Sequence, residues 1–142
     1  SRLAIMKASA VDAQGALVLG ADTTVTINNN VLGKPEDYED ATHMLSLLSG
    51  QSHQVMTGVA ARCGDAIESF VVTTTVTFVQ LSQGDIAGYL DTAEPWDKAG
   101  AYAIQGRGGV FVQQIQGSYS SVVGLPLAET KALIDKFCGA QR

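Results

Sequence analysis

Between Ser69 and Gly84 the chain carries no charged residue, yet the stretch is filled with Val, Thr and Gln. A membrane-spanning helix needs about 20 predominantly apolar residues, and β-branched side chains crowd a helix while fitting a pleated surface. The run is therefore read as a strand, Ile67 to Leu81. A strand of this kind needs neighbours, because its backbone N–H and C=O groups must all find partners. Leu17 to Ile27, rich in Val, Thr and Ile, supplies one. Asn28-Asn29-Asn30 tolerates left-handed geometry and turns that strand into Val31-Leu32 as a hairpin. His53 to Ala61 supplies another, joined to the uncharged strand by the turn Cys63-Gly64-Asp65. Ala101 to Ile104 and Val110 to Ile115 read as two short strands separated by Gly106-Arg107-Gly108-Gly109.

Elsewhere the apolar period becomes helical. Leu3, Met6, Ala10 and Val11 form a stripe over residues 2–13, ended by Gly15. Pro35 and the acids Glu36, Asp37, Glu39 and Asp40 open a second helix, where its dipole favours negative charge. Ala41, Met44, Leu45 and Leu48 give that helix one apolar face, and Gly50 stops it. Ser82 suits the cap of a short helix holding Ile86, Tyr89 and Leu90. Leu127 to Cys138 closes the chain as a helix, with Leu133, Ile134 and Phe137 facing inward. The alternation of helices and strands indicates an α/β fold with a mixed sheet.

A length of 142 residues fits one domain, and 46% hydrophobic residues can bury a core without disulfides or metals. The formal net charge is −5, and the nine Lys and Arg residues are scattered, so no basic face offers itself to nucleic acid. No segment reads as a membrane helix. Cys63 and Cys138 lie far apart and form no CxxC, which fits reduced thiols of an intracellular protein.

Three local groupings carry chemistry. Asp22 sits in Gly20-Ala21-Asp22-Thr23-Thr24, amid an otherwise apolar strand. A carboxylate there is costly to bury unless it is paired or binds a cation, so it is either a structural Asp satisfied by neighbours or a functional acid. Gly33-Lys34-Pro35 places a cation just before a helix N-terminus, a sound arrangement for phosphate. Asp97-Lys98 puts an acid–base pair on a loop, and Gln105 ends a strand with an amide able to read a base edge. Other candidates are weaker. The acids at 36, 37, 39 and 40 start a helix, and His43 and His53 read as ordinary surface or strand histidines without metal-ligand spacing. Ser118-Tyr119-Ser120-Ser121 reads as a polar turn, and Gly106-Arg107-Gly108-Gly109 is not a Walker loop.

In order along the chain stand Gly20-Ala21-Asp22-Thr23, Leu32-Gly33-Lys34-Pro35, Met44-Leu45 with Leu48-Ser49-Gly50, and His53-Gln54-Val55-Met56-Thr57-Gly58. They are followed by Asp97-Lys98-Ala99-Gly100-Ala101-Tyr102, Ile104-Gln105-Gly106 and Val122-Val123-Gly124-Leu125-Pro126-Leu127. This series resembles the Maf family, the septum-formation proteins that act as nucleoside triphosphate pyrophosphatases. The resemblance runs from about Leu3 to the last helix. It implies a two-lobed α/β fold with flanking helices, like that of inosine triphosphatase, with the 142 residues forming one such domain. It also implies a divalent cation (Mg²⁺ or Mn²⁺), a cytoplasmic location and a homodimer. The family's general base falls on Asp22. Its phosphate-contacting lysines fall on Lys34, Lys98 and Lys7, with Asp97 counted among the substrate-binding residues. Thr23 and Gln105 match the branch acting on dTTP and UTP. Two rival readings are a pyrophosphatase for a modified purine nucleotide such as 7-methyl-GTP and a non-catalytic nucleotide-binding protein linked to division. The family opens with a Ser-Pro-Arg-Arg loop that nothing here matches, which implies a chain truncated at its N-terminus.

Overall fold

A five-stranded sheet in the order β2-β1-β3-β4-β5 organises the computed structural model, which describes residues 17–138. The helix read at residues 2–13, and with it Lys7, lies outside the described residues, as does the side chain of Cys138. The strands are β1 (Leu17–Ile27), β2 (Asn30–Leu32), β3 (Ser52–Cys63), β4 (Ala66–Phe78) and β5 (Val112–Gln116). Asn28 and Asn29 both adopt positive φ, 49° and 66°. A two-residue hairpin whose twist matches its strands requires that geometry, and β1 and β2 accordingly pair antiparallel with Ile27 opposite Asn30. Gly64, at φ 63°, turns β3 into β4. β5 pairs antiparallel with the end of β4, with an irregularity at Thr77/Phe78.

Among the described residues, four helices flank the sheet: α1 (Tyr38–Leu48), α2 (Gln83–Leu90), α3 (Tyr119–Val123) and α4 (Leu127–Cys138). In α1 the stripe Ala41, Met44, Leu45 and Leu48 is buried as its spacing requires. The helix begins later than Pro35, however. Asp37 is the cap, accepting from Asp40 N (2.8 Å), while the Asp40 carboxylate accepts from Glu36 N (2.9 Å). Only Glu39 and Asp40 lie in the first turn. In α2, Ser82 and Asp85 form a reciprocal capping box. The segment read as a polar turn at Ser118–Ser121 enters α3, with Ser118 capping it through Ser121 N (3.1 Å).

The described chain divides into two compact units, and β1, β3 and β4 each contribute residues to both. Unit 1 takes residues 17–23, 56–73 and 118–138 of those described. Its core joins Val59, Ala61 and Leu133 to Leu17, Ala21, Phe70, Leu125 and Phe137. Unit 2 spans Thr24–Val55 and Thr74–Gly117. Its buried residues include Val25, Leu45, Leu48, Val55, Val76 and Phe78.

One strand reading fails. Ala101–Ile104 is not a strand but the exit from a 3₁₀ turn, Ala99–Ala101. Gly100 and Ala101 both have positive φ, 77° and 65°, which no extended strand accommodates. Tyr102 and Ile104 are buried while Ala103 and Gln105 are not, so the alternation is real. The segment nevertheless has no strand partner, and Ala103 N donates to the Tyr89 hydroxyl (2.9 Å) instead.

Candidate functional site

In unit 1, the strand period separates two adjacent site residues. Successive side chains of a strand point to opposite faces. Val25 and Ile27 are buried, so Thr23 shares their face and the half-buried Asp22 projects from the other, with Thr24 and Thr26. The Thr23 hydroxyl lies 3.0 Å from that of Thr57, and Thr57 donates its only hydroxyl proton to the Ser121 carbonyl (2.7 Å). Thr23 must therefore be the donor in the first bond, because each hydroxyl has one hydrogen. What Thr23 can still offer is an acceptor lone pair.

In unit 2, two lysine-bearing loops are tied together. The Gly33 carbonyl accepts from Gly100 N (3.1 Å), so the turn carrying Lys34 is fastened to the turn that follows Lys98. Gly100 is required there. Its φ of 77° is left-handed, and a Cβ would stand 3.1 Å from Val25 Cγ1. Lys34, Asp97 and Lys98 are all exposed, and neither lysine is in an ion pair with a described residue. Asp97 ends the 3₁₀ turn Glu94–Asp97, in which Trp96 Nε1 donates to the Thr92 carbonyl (3.1 Å).

Gln105 is exposed on the turn between Tyr102 and the 3₁₀ segment Arg107–Phe111. Two side chains outside the sequence motifs, Glu94 and Tyr89, hold that turn. The Glu94 carboxylate accepts from Arg107 N (3.0 Å), Gly108 N (3.0 Å) and the Tyr89 hydroxyl (2.9 Å). Desolvation alone would raise the Glu94 carboxyl. The Gly108 and Arg107 N–H groups, the Tyr89 hydroxyl and the Arg107 charge outweigh it and hold the group below the usual carboxylate range. Burial pushes the Tyr89 phenol above its ordinary value.

Of its two readings, surface or strand histidine, His53 takes the second. It lies on β3 at 2% exposure, with Nε2 2.6 Å from the Tyr102 hydroxyl. Its ring stands edge-on to Phe78 and Tyr102. Nδ1 is buried without a hydrogen-bond partner among the described residues. Burial lowers the His53 pKa from 6.5 to about 4, so the ring is neutral at pH 7. The signal was available: His53, Val55 and Thr57 alternate along β3, and all three are buried. Glu94 left no such trace, since nothing local distinguishes it from a solvated loop acid.

Among the described residues, no three His, Cys, Asp or Glu side chains are grouped to hold a metal ion. Asp22 is thus not part of a closed cage of such ligands among the described residues. That chemistry fits a hard cation carried in on phosphate oxygens, for which one or two carboxylates suffice. Also among the described residues, no helix is long and apolar enough to cross a membrane.

A family model described as Maf-like protein matches residues 1–137. The dTTP/UTP pyrophosphatase of Pseudoalteromonas atlantica is 55% identical over 141 residues, which are 95% of this chain and 73% of that protein. The dTTP/UTP pyrophosphatase of Bacillus velezensis is 53% identical over 137 residues, 95% of this chain and 72% of the relative. The protein of the same name from Escherichia coli K12 is 56% identical over 139 residues, 96% of this chain and 71% of its own length.

Proposed function

The chain belongs to the Maf-like family, and from that premise we propose that it is a dTTP/UTP pyrophosphatase. The reaction adds water across the bond between the α- and β-phosphates, giving the nucleoside monophosphate and pyrophosphate. The observation that carries the reading is identity of 53–56% to relatives of that name across most of both chains.

Asp22 serves as general base, taking a proton from the water that attacks the α-phosphorus. A strand-borne carboxylate suits that task because the strand's hydrogen bonds fix its Cα. Lys34 and Lys98 offset the charge that accumulates on departing pyrophosphate, and the Gly100–Gly33 bond holds their loops at a set separation. Asp97 and Lys7 complete the substrate-binding set in this proposal. Mg²⁺ or Mn²⁺ brought in with the triphosphate would supply charge neutralisation and a more acidic water beside Asp22. Gln105, with a donor and an acceptor on one planar group, and Thr23, through its acceptor lone pair, are the base-selecting residues of this proposal. The proposal includes a cytoplasmic location and a homodimer.

Pyrophosphate release from dTTP, UTP, dCTP and 7-methyl-GTP tests it. Turnover is expected to be greatest with dTTP and UTP. Asp22→Asn is expected to lower kcat by about 10²–10⁴, the range of a positioned general base. Full activity in that variant would remove Asp22 from the role. Preference for 7-methyl-GTP would reassign the substrate, and binding of dTTP without turnover would leave a nucleotide-binding protein.

A further inference from the structure

The turn bearing Gln105 is held from both sides by side chains that touch nothing else in the proposed reaction. Two residues before Gln105, Ala103 N donates to the Tyr89 hydroxyl (2.9 Å). Two and three residues after it, Arg107 N and Gly108 N donate to separate oxygens of Glu94, each at 3.0 Å. The Tyr89 hydroxyl then donates to Glu94 Oε1 (2.9 Å), joining the two holds into one bridge. Backbone bonds from Gly106 N to Ala103 O (3.2 Å) and from Gly109 N to Gly106 O (3.1 Å) close the turn within that bridge. Its tightness shows in what it excludes. A Cβ on Gly106 would meet the Glu94 carboxylate at 2.5 Å, and one on Gly108 would meet the Ala103 carbonyl oxygen at 2.7 Å.

A carboxylate accepting three hydrogen bonds, two of them from backbone N–H groups, fixes backbone rather than surface charge. The backbone it fixes carries an exposed amide with no hydrogen bond of its own to a described residue. We infer that Glu94, bridged through Tyr89, is a positioning residue that sets nucleobase selectivity by holding the turn that presents Gln105. The inference rests on the dTTP/UTP reading above and on Gln105 as the group that reads the base. Its physical basis is general. A polar site rejects a wrong partner strongly only when its groups cannot move to re-pair, because the penalty comes from leaving them unsatisfied. An amide on a free loop would follow whatever base arrives, whereas one on a bolted turn cannot.

The test measures kcat and KM for dTTP, dCTP and dGTP in the full chain and in four variants. Glu94→Gln keeps the side-chain shape but replaces one accepting oxygen by an NH₂ group. Tyr89→Phe keeps the ring against Phe111 and removes the hydroxyl. Gln105→Ala is the reference for lost base reading, and the double variant Glu94→Gln/Gln105→Ala completes a cycle. Glu94→Gln is expected to cut the preference for dTTP over dCTP and dGTP by on the order of tenfold, mainly through KM for dTTP. Adding it to Gln105→Ala is expected to cost no further selectivity, since both act through one amide. A merely structural role would lower stability or kcat for all three nucleotides alike. Wild-type selectivity in Glu94→Gln and Tyr89→Phe, while Gln105→Ala loses it, overturns the positioning role. If Glu94→Gln does not fold, Tyr89→Phe decides alone. Unchanged selectivity in Gln105→Ala instead defeats the base-reading role beneath the inference.

Discussion

Acidifying the protein from pH 7 to pH 5 should destabilise it through His53. The imidazolium would need acceptors for two N–H groups, and the pocket offers one. Nε2 faces the Tyr102 hydroxyl at 2.6 Å, whereas Nδ1 is buried without a partner among the described residues. Burial depresses the folded-state pKa from 6.5 to about 4. For a depressed histidine the unfolded chain takes up the proton first. The favourable contribution is complete above pH 6.5 and is lost as pH falls towards about 4. At about 1.4 kcal/mol per pKa unit the whole window is worth about 3 kcal/mol, of which about 2 kcal/mol is gone by pH 5. Asp85 is held down by its hydrogen bonds to Ser82, and Glu94 is also held below the usual range. Both lose their contribution only at lower pH, below the ordinary carboxylate range of about 4. Urea unfolding at pH 7, 6 and 5, on the chain and on His53→Gln, isolates the effect. The wild-type midpoint should fall by about 1 M more than that of the variant. Equal losses in both proteins, or a His53 ring signal titrating near 6.5, would refute the reasoning.

Three further substitutions probe the frame around the site. Gly108→Ala should lower stability by about 1–3 kcal/mol in thermal melts, because its Cβ meets a backbone oxygen that cannot swing away. Gly88→Ala in α2, with nothing within 4 Å of its Cβ, should instead raise stability by up to about 1 kcal/mol. Ser82→Ala removes the side-chain half of the α2 capping box, the Ser82 Oγ that accepts from Asp85 N, and should cost about 1 kcal/mol by urea unfolding, with helix content at pH 7 otherwise retained.

What was legible in the chain was whatever a few neighbouring residues decide among themselves. Asn28 and Asn29 announce a two-residue hairpin because the backbone there must be left-handed at both positions. Ala41, Met44, Leu45 and Leu48 announce a buried helical face because their spacing is the helix's own. Ser82 announces a cap for the same local reason. Ala101–Ile104 misled because alternating burial is shared by strands and by any segment that passes between a core and solvent. Only a partner strand tells them apart, and here the partner is the Tyr89 hydroxyl. The site residues divide along the same line. Asp22, Lys34, Lys98 and Gln105 stand in short motifs that are visible without the fold. Glu94, Tyr89, Thr57 and His53 each work through a residue distant in sequence or through a turn that closes only in three dimensions. His53 shows the boundary most plainly. Its place on the inward face of β3 follows from alternation with Val55 and Thr57, but its neutrality depends on Tyr102 and Phe78, 49 and 25 residues further along the chain. Periodicity states which way a side chain points; what it meets there, and hence its charge and its chemistry, is decided by topology.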